Sequence, residues 1–99
     1  MEKTIYLTKL YDIYGNLLTD KQQEYFKLYY FENLTLDEIS DNLGVSKANV
    51  SKKLNATTNI LENFEKKLKF LKKIETIEKE FQSDKAILDR IERILKWYI

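Results

Sequence analysis

Apolar positions return every three to four residues from the first turns of the chain onward, the spacing of an amphipathic helix. Ile5, Tyr6, Leu10, Ile13, Tyr14 and Leu17 predict a first helix over roughly residues 3 to 15, ended near Gly15-Asn16. Thr19-Asp-Lys-Gln22 is a capping-box pattern, in which the threonine oxygen takes a backbone N–H while the glutamine reaches back. It opens a second helix from about 20 to 32, whose face carries Tyr25, Phe26, Leu28, Tyr29 and Tyr30. Asn33 ends that helix, and Thr35-Leu-Asp-Glu38 is a second capping box. The short third helix it starts, from about 36, has Leu36, Ile39 and Leu43 as its inner side. Gly44 stands where a left-handed residue closes a helix without steric cost, and Ser46 caps a fourth helix starting near 47.

Beyond Val50 the apolar row runs Leu54, Leu61, Phe64, Leu68, Leu71, Ile74, Ile77 and Phe81. The steps from Leu61 to Leu71 are three, four and three residues, the seam of a coiled coil or a long bundle helix. Asn55 through Asn59 interrupts the row, so a bend or an end is expected there, and the pattern leaves open whether 46–81 is one helix. Gln82-Ser83-Asp84 reads as a turn and cap before a last helix carrying Ile87, Leu88, Ile91, Ile94, Leu95 and Tyr98. The expected fold is all-α: a small helix-turn-helix domain followed by a long helix and a C-terminal helix, bundle-like. Residues 1–99 are expected to form one domain, with the helix-turn-helix core at about 18–54 and dimerisation or bundle helices at about 55–99.

Composition agrees, with two glycines and no proline in 99 residues, which leaves little loop punctuation. Absence of cysteine excludes thiolate metal sites and thiol nucleophiles, and absence of histidine removes the commonest general base. No phosphate-cradling glycine loop is present, so the reading is a protein that is not an enzyme, with no cofactor and no small-molecule substrate. No segment approaches the roughly 20 apolar residues that span a bilayer, and the start MEKTIYLTKLYD lacks a signal peptide's apolar block. A cytoplasmic protein without membrane insertion is expected. The net charge of +1 hides an asymmetry. Residues 1–45 hold four lysines against eight acids, and 46–99 hold thirteen basic residues against eight acids, so the division falls at Ser46. Such a division suits a polyanion meeting the second half, or one half docking on the other.

The stretch LTLDEISDNLGVSKANVSKKL carries the candidate chemistry. A helix-turn-helix needs a short bracing helix, a tight turn with a glycine, and a second helix whose outward N-terminal residues reach base edges. With Ile39, Leu43, Val45, Val50 and Leu54 buried, Ser46, Lys47, Ala48, Asn49, Ser51, Lys52 and Lys53 are left to meet double-stranded DNA. Ser46 and the helix N-terminus suit a phosphate, Asn49 suits adenine, and Lys47 or Lys52 suits guanine or phosphate. The competing reading makes these lysines a solvated face of a structural hairpin. Tyr25, Phe26, Tyr29, Tyr30 and Phe31 are read as core packing rather than a base-stacking platform, and Asp37, Glu38 and Asp41 as a helix-start charge preference rather than a metal site. The run KKLKFLKK at 66–73 is read as the outer face of a helix whose Leu68 and Leu71 pack inward, with Glu62, Glu65, Glu75 and Glu78 at ion-pairing spacings. Its other readings are a phosphate-backbone, membrane-surface or RNA contact. Trp97 and Tyr98 are expected to anchor the C-terminus or form a dimer contact.

LTDKQQEYFKLYYFENLTLDEISDNLGVSKANVSKKL resembles the helix-turn-helix of sigma-factor region four. Within that superfamily it is most similar to the small YlxM-like helix-turn-helix proteins of Gram-positive bacteria and mollicutes. The resemblance spans roughly Leu10 to Phe70 and is most specific from Leu18 to Ser46. It implies an all-helical fold, a homodimer, and a regulatory role linked through gene neighbourhood to the signal recognition particle, a component of which is then a further partner. This chain departs from the pattern at Asn55, Ala56 and Thr57, where the family's recognition helix continues with Arg or Lys. That loss and the acidic third helix motivate an alternative function: a protein- or ribonucleoprotein-interaction module that keeps the fold without binding DNA.

Overall fold

The computed structural model describes residues 3–82 and 84–97. Among them the chain forms six α-helices and no strand: α1 Lys3–Tyr14, α2 Asp20–Phe26, α3 Leu36–Leu43, α4 Lys47–Leu68, α5 Phe70–Glu80 and α6 Lys85–Trp97. The starts of α2, α3 and α4 fall where the capping patterns place them. Both capping boxes close: Thr19 Oγ1 accepts from Gln22 N–H at 3.2 Å while Gln22 Oε1 accepts from Thr19 N–H at 2.9 Å. Thr35 and Glu38 repeat the arrangement at 3.1 and 3.0 Å.

The expected single helix over 20–32 instead widens after Phe26 into a π-helical turn, Lys27–Phe31. Its Glu32 N–H donates to the Lys27 carbonyl at 2.9 Å, and Asn33 at φ 57° then ends the element. The extra residue per turn rotates the later aromatics away from the core. Tyr25 and Phe26 are buried, and Tyr30 stacks on Phe26 with centroids 4.4 Å apart. Tyr29 and Phe31 lie exposed, Phe31 at 50%, so the expectation that all five aromatics pack inside is corrected to three.

Helix α4 is the hub, with α1, α2 and α3 packed along it. One core cluster joins Leu7, Leu10, Ile13 and Tyr14 of α1 to Leu18, Phe26, Leu61, Leu71 and Ile74. A second joins Tyr25, Ile39, Val50 and Leu54 beneath the helix-turn-helix. Helix α4 runs uninterrupted through Asn55–Asn59, where the sequence leaves room for a bend or an end. Thr57 points into the core, fully buried, and its hydroxyl donates to the Lys53 carbonyl at 2.8 Å. A polar residue thus occupies an inner position without an unsatisfied group, and the helix runs on.

The break comes instead at Lys69, a left-handed residue at φ 56°, ψ 32°. Here a side-chain knot replaces a helix cap. The Tyr14 hydroxyl donates to Glu65 Oε1 at 2.7 Å and accepts from Phe70 N–H at 3.0 Å. Glu65 Oε1 also accepts from Leu71 N–H at 3.0 Å, and its Oε2 accepts from Lys72 N–H at 3.2 Å. The first three N–H groups of α5, which have no partner within their own helix, are therefore all satisfied from α1 and α4. Burial and the bond to Glu65 raise the Tyr14 hydroxyl's pKa well above the ordinary phenol value.

This elbow overturns two expectations. Leu68, expected inside, is 39% exposed, whereas Leu71 is buried, because the change of direction at Lys69 takes the helical seam out of register. The lysines of 66–73 therefore surround an elbow rather than one helix face. Among the described residues none of them forms an ion pair with the neighbouring glutamates: Glu75 pairs with Lys9 at 3.8 Å, and Glu65 is committed to the knot.

Helix α6 packs on α5 and is tied to α1 by Lys96 Nζ to Asp12 Oδ2 at 3.4 Å. Asp84 caps it, its Oδ1 accepting from Ile87 N–H at 3.1 Å. Ser83 and Tyr98, which the sequence reading used as cap and anchor, lie outside the described residues. Trp97 does not close the core, being 84% exposed; none of the residues of α6 is buried, and the helix meets the first cluster through the partly buried Leu95. The Cα radius of gyration of 15.4 Å exceeds the roughly 13 Å of a compact chain of this length, and the extents of 47 × 23 × 22 Å describe a rod. Among the described residues no helix is long and apolar enough to cross a membrane.

Candidate nucleic-acid interface

The interface is built from the turn outward. Gly44 at φ 67° ends α3, its N–H bonded to the Ser40 carbonyl, and an added Cβ there would meet open space, so backbone conformation alone selects glycine. The Ser40 hydroxyl donates to the Val45 carbonyl at 2.6 Å, and Val45 N–H returns to the Ser40 carbonyl at 3.2 Å. The turn is thus tied to the bracing helix at both groups of Val45. Ser46 then caps α4, its hydroxyl accepting from Asn49 N–H at 3.1 Å. Ile39, Val50 and Leu54 are buried below this corner, with Leu43 and Val45 partly buried beside them, which fixes the rotation of α4.

That rotation settles which candidate residues face outward. Ser46, Lys47, Ala48, Asn49, Lys52 and Lys53 are exposed, and Ser51 is half-buried on the flank. The seven lie at the cap and over the first two turns of α4. The first two of its reading groups are engaged from inside the protein. Lys47 Nζ lies 3.5 Å from Asp37 Oδ1 of α3, an ion pair between two exposed side chains. Asn49 Oδ1 accepts from the buried Tyr25 hydroxyl at 3.4 Å. Lys52 and Lys53 form no ion pair among the described residues, so this basic pair is left to solvent or to a polyanion.

Tyr25 and Asp37 are the residues the sequence reading missed. Tyr25 is legible as a core aromatic, and a buried phenol must place its hydroxyl on something polar, which was the available signal. Asp37 is legible as a helix-start acid. Its pairing with Lys47 depends on the crossing of α3 and α4, which no local pattern records. The surface can meet anions at Lys52, Lys53 and the helix N-terminus, and present hydrogen-bond donors to a groove at Lys47 and Asn49.

Comparison with known proteins places this geometry in a family. Residues 1–96 match a family model described as "Putative helix-turn-helix protein, YlxM / p13 like". A UPF0122 protein of Shouchella clausii is 36% identical to the chain, over 95% of it and 98% of the relative. One of Mycoplasma capricolum is 36% identical over 98% of the chain and 92% of the relative. A third, of Caldanaerobacter subterraneus, is 41% identical over 85% of the chain and 72% of the relative. With the match running through α1 to α6 and the corner at Gly44 built as a helix-turn-helix, the chain belongs to the YlxM/p13-like UPF0122 family.

Proposed function

We propose that the chain is a DNA-binding helix-turn-helix protein that reads a duplex through Ser46–Lys53. The observation that carries this reading is that a buttressed helix presents its N-terminal two turns to solvent, with Lys52 and Lys53 free of internal ion pairs among the described residues. Those lysines contact phosphate, and the residues toward the helix start contact base edges. Two copies, joined through the apolar faces of α5 and α6, would set half-sites about 34 Å apart or a multiple of that. The chain acts as a non-enzymatic cytoplasmic regulator. In this reading the process it regulates is the signal recognition particle pathway.

Gel shift against genomic DNA fragments tests it. The double change Lys52→Ala, Lys53→Ala should lower affinity and reduce the slope of log K against log salt by roughly two, one per lost phosphate contact. Binding and slope unchanged from the wild type would remove the reading.

The Lys47–Asp37 pair favours a second reading, a protein- or ribonucleoprotein-interaction module, since an acid beside the leading lysine weakens its pull on phosphate. A chain that shifts no duplex at low salt, yet retrieves one specific protein or ribonucleoprotein, would establish the alternative.

A further inference from the structure

We propose that Tyr25 is a specificity-determining residue: it holds the Asn49 side chain with its oxygen turned inward, so that the helix start reads guanine and not adenine. The inference rests on the DNA-binding reading above and narrows it to a base.

Tyr25 is 3% exposed, and its ring belongs to the core cluster of Ile39, Val50 and Leu54. A phenol confined there must give its hydrogen to an acceptor, because an unmade bond at a buried donor is costly. Among the described residues its one side-chain partner is Asn49 Oδ1, at 3.4 Å. Asn49 is itself fixed in place, third in α4, with its N–H on Ser46 Oγ at 3.1 Å. The carboxamide is planar, so directing its oxygen to Tyr25 directs its NH₂ away from the protein.

This changes what the position can read. Asparagine recognises adenine with both halves of its amide, the oxygen taking the N6 hydrogen and the nitrogen giving one to N7. With one lone pair of the oxygen on Tyr25 and the oxygen turned inward, the donor half is the part of the amide presented to the groove. Guanine presents two adjacent acceptors, N7 and O6, on its major-groove edge, whereas adenine presents one acceptor beside a donor. Lys47, next to Asn49 on the exposed surface, also carries hydrogens only. Lys47 and Asn49 therefore present donors side by side, and the base pair that offers acceptors alone from its purine is G·C. The proposal differs here from the sequence-based expectation that Asn49 suits adenine, and the base preference decides between them.

Selection from a randomised duplex pool, followed by anisotropy titration of the selected duplex and its single-base-pair variants, tests the proposal on the full chain. The wild type should select a guanine at one position and bind the G·C to A·T variant there about tenfold more weakly, the scale of one lost base contact. Asn49→Ala should erase that discrimination and no other. Tyr25→Phe, which removes one oxygen from the core, should release the amide and bring A·T at that position level with G·C or above it. Asn49→Asp keeps an acceptor for Tyr25 and turns a second acceptor outward, so its preference should move toward cytosine, whose amino group donates. Circular dichroism on each variant confirms folding, and the Asn49 substitutions carry the test if Tyr25→Phe does not fold. A wild type that selects adenine at the Asn49-dependent position, or a folded Tyr25→Phe whose base preference matches the wild type, overturns the inference and leaves DNA binding standing. A wild type that binds no duplex at low salt overturns both.

Discussion

Asp37 lies in the first turn of α3, where an acid suits the helix dipole, and its carboxylate reaches Lys47 across the corner. Between two exposed side chains such a pair adds at most about 1 kcal/mol to stability. Its larger effect is on charge: it places a negative group where a DNA backbone would pass. Asp37→Asn should therefore leave the melting temperature nearly unchanged, while raising affinity for duplex DNA several-fold and steepening its salt dependence. Equal or weaker binding in a salt titration would contradict this assignment. The Tyr14 hydroxyl is the opposite case, a polar group whose value is structural. It bridges Glu65 and the Phe70 N–H from a fully buried ring. Tyr14→Phe leaves both partners short of a bond and should cost about 1–3 kcal/mol in urea unfolding. A loss under half of that range would mean that water replaces the hydroxyl.

At the scale of elements, three left-handed residues, Asn33, Gly44 and Lys69, end helices and only one is a glycine. Gly44 at φ 67° has space for a side chain, so Gly44→Ala should cost only the backbone term, about 1–2 kcal/mol, without repacking the corner. Lys69 at φ 56° already bears that strain. Lys69→Gly should relieve it, raising stability by up to about 1 kcal/mol once the greater freedom of glycine in the unfolded chain is subtracted. Parallel urea denaturation of both variants checks the pair, and the two changes should have opposite signs. The capping boxes at Thr19 and Thr35 and the terminator at Gly44 could be read ahead of the structure because each is a contact within four residues. The elbow could not. Its cap is Glu65 from the preceding helix together with Tyr14, 51 residues away from it in sequence. The polar row at Asn55–Asn59 was a false signal of a break for a related reason: Thr57 answers its own hydroxyl with the Lys53 carbonyl and so fits an inner position.

Across the whole molecule, α6 is the element least covered by the rest. Its Glu92 faces Glu78 of α5 in a groove that also holds Lys9, Asp12, Glu75 and Lys96. The hydrogen bond to Glu78, then burial, then the charges of Glu78 and Asp89 raise the Glu92 carboxyl above the usual glutamate range, with Lys96 pulling the other way. A carboxyl raised in the folded state is protonated in both states well below its unfolded value, where the shared proton favours folding. As pH climbs from the ordinary glutamate value through the raised one, the folded state must release that proton and stability falls. Glu92→Gln keeps a donor for Glu78 and removes the charge. Its melting temperature should therefore exceed the wild type's at pH 7 by more than at about pH 4. Equal differences at the two pH values would show that the carboxyl pair does not bear on the docking of α6.

The division between what the chain order determines and what folding decides follows the range of the forces involved. Helical class, the helix starts near 20, 36 and 47, and the exposed character of Ser46, Lys47, Ala48, Asn49, Lys52 and Lys53 were legible, because periodicity and capping act over three or four neighbouring residues. The outward turn of Tyr29 and Phe31 was not, since the π-helical turn after Phe26 rotates the residues beyond it. Nor was the state of the reading groups themselves. Lys47 and Asn49 were named from the sequence, but what each can offer a base depends on Asp37 and Tyr25, ten and 24 residues earlier in the chain. Those distances close only when α2 and α3 pack against α4, so the chemistry of the surface belongs to the tertiary structure and its location to the sequence.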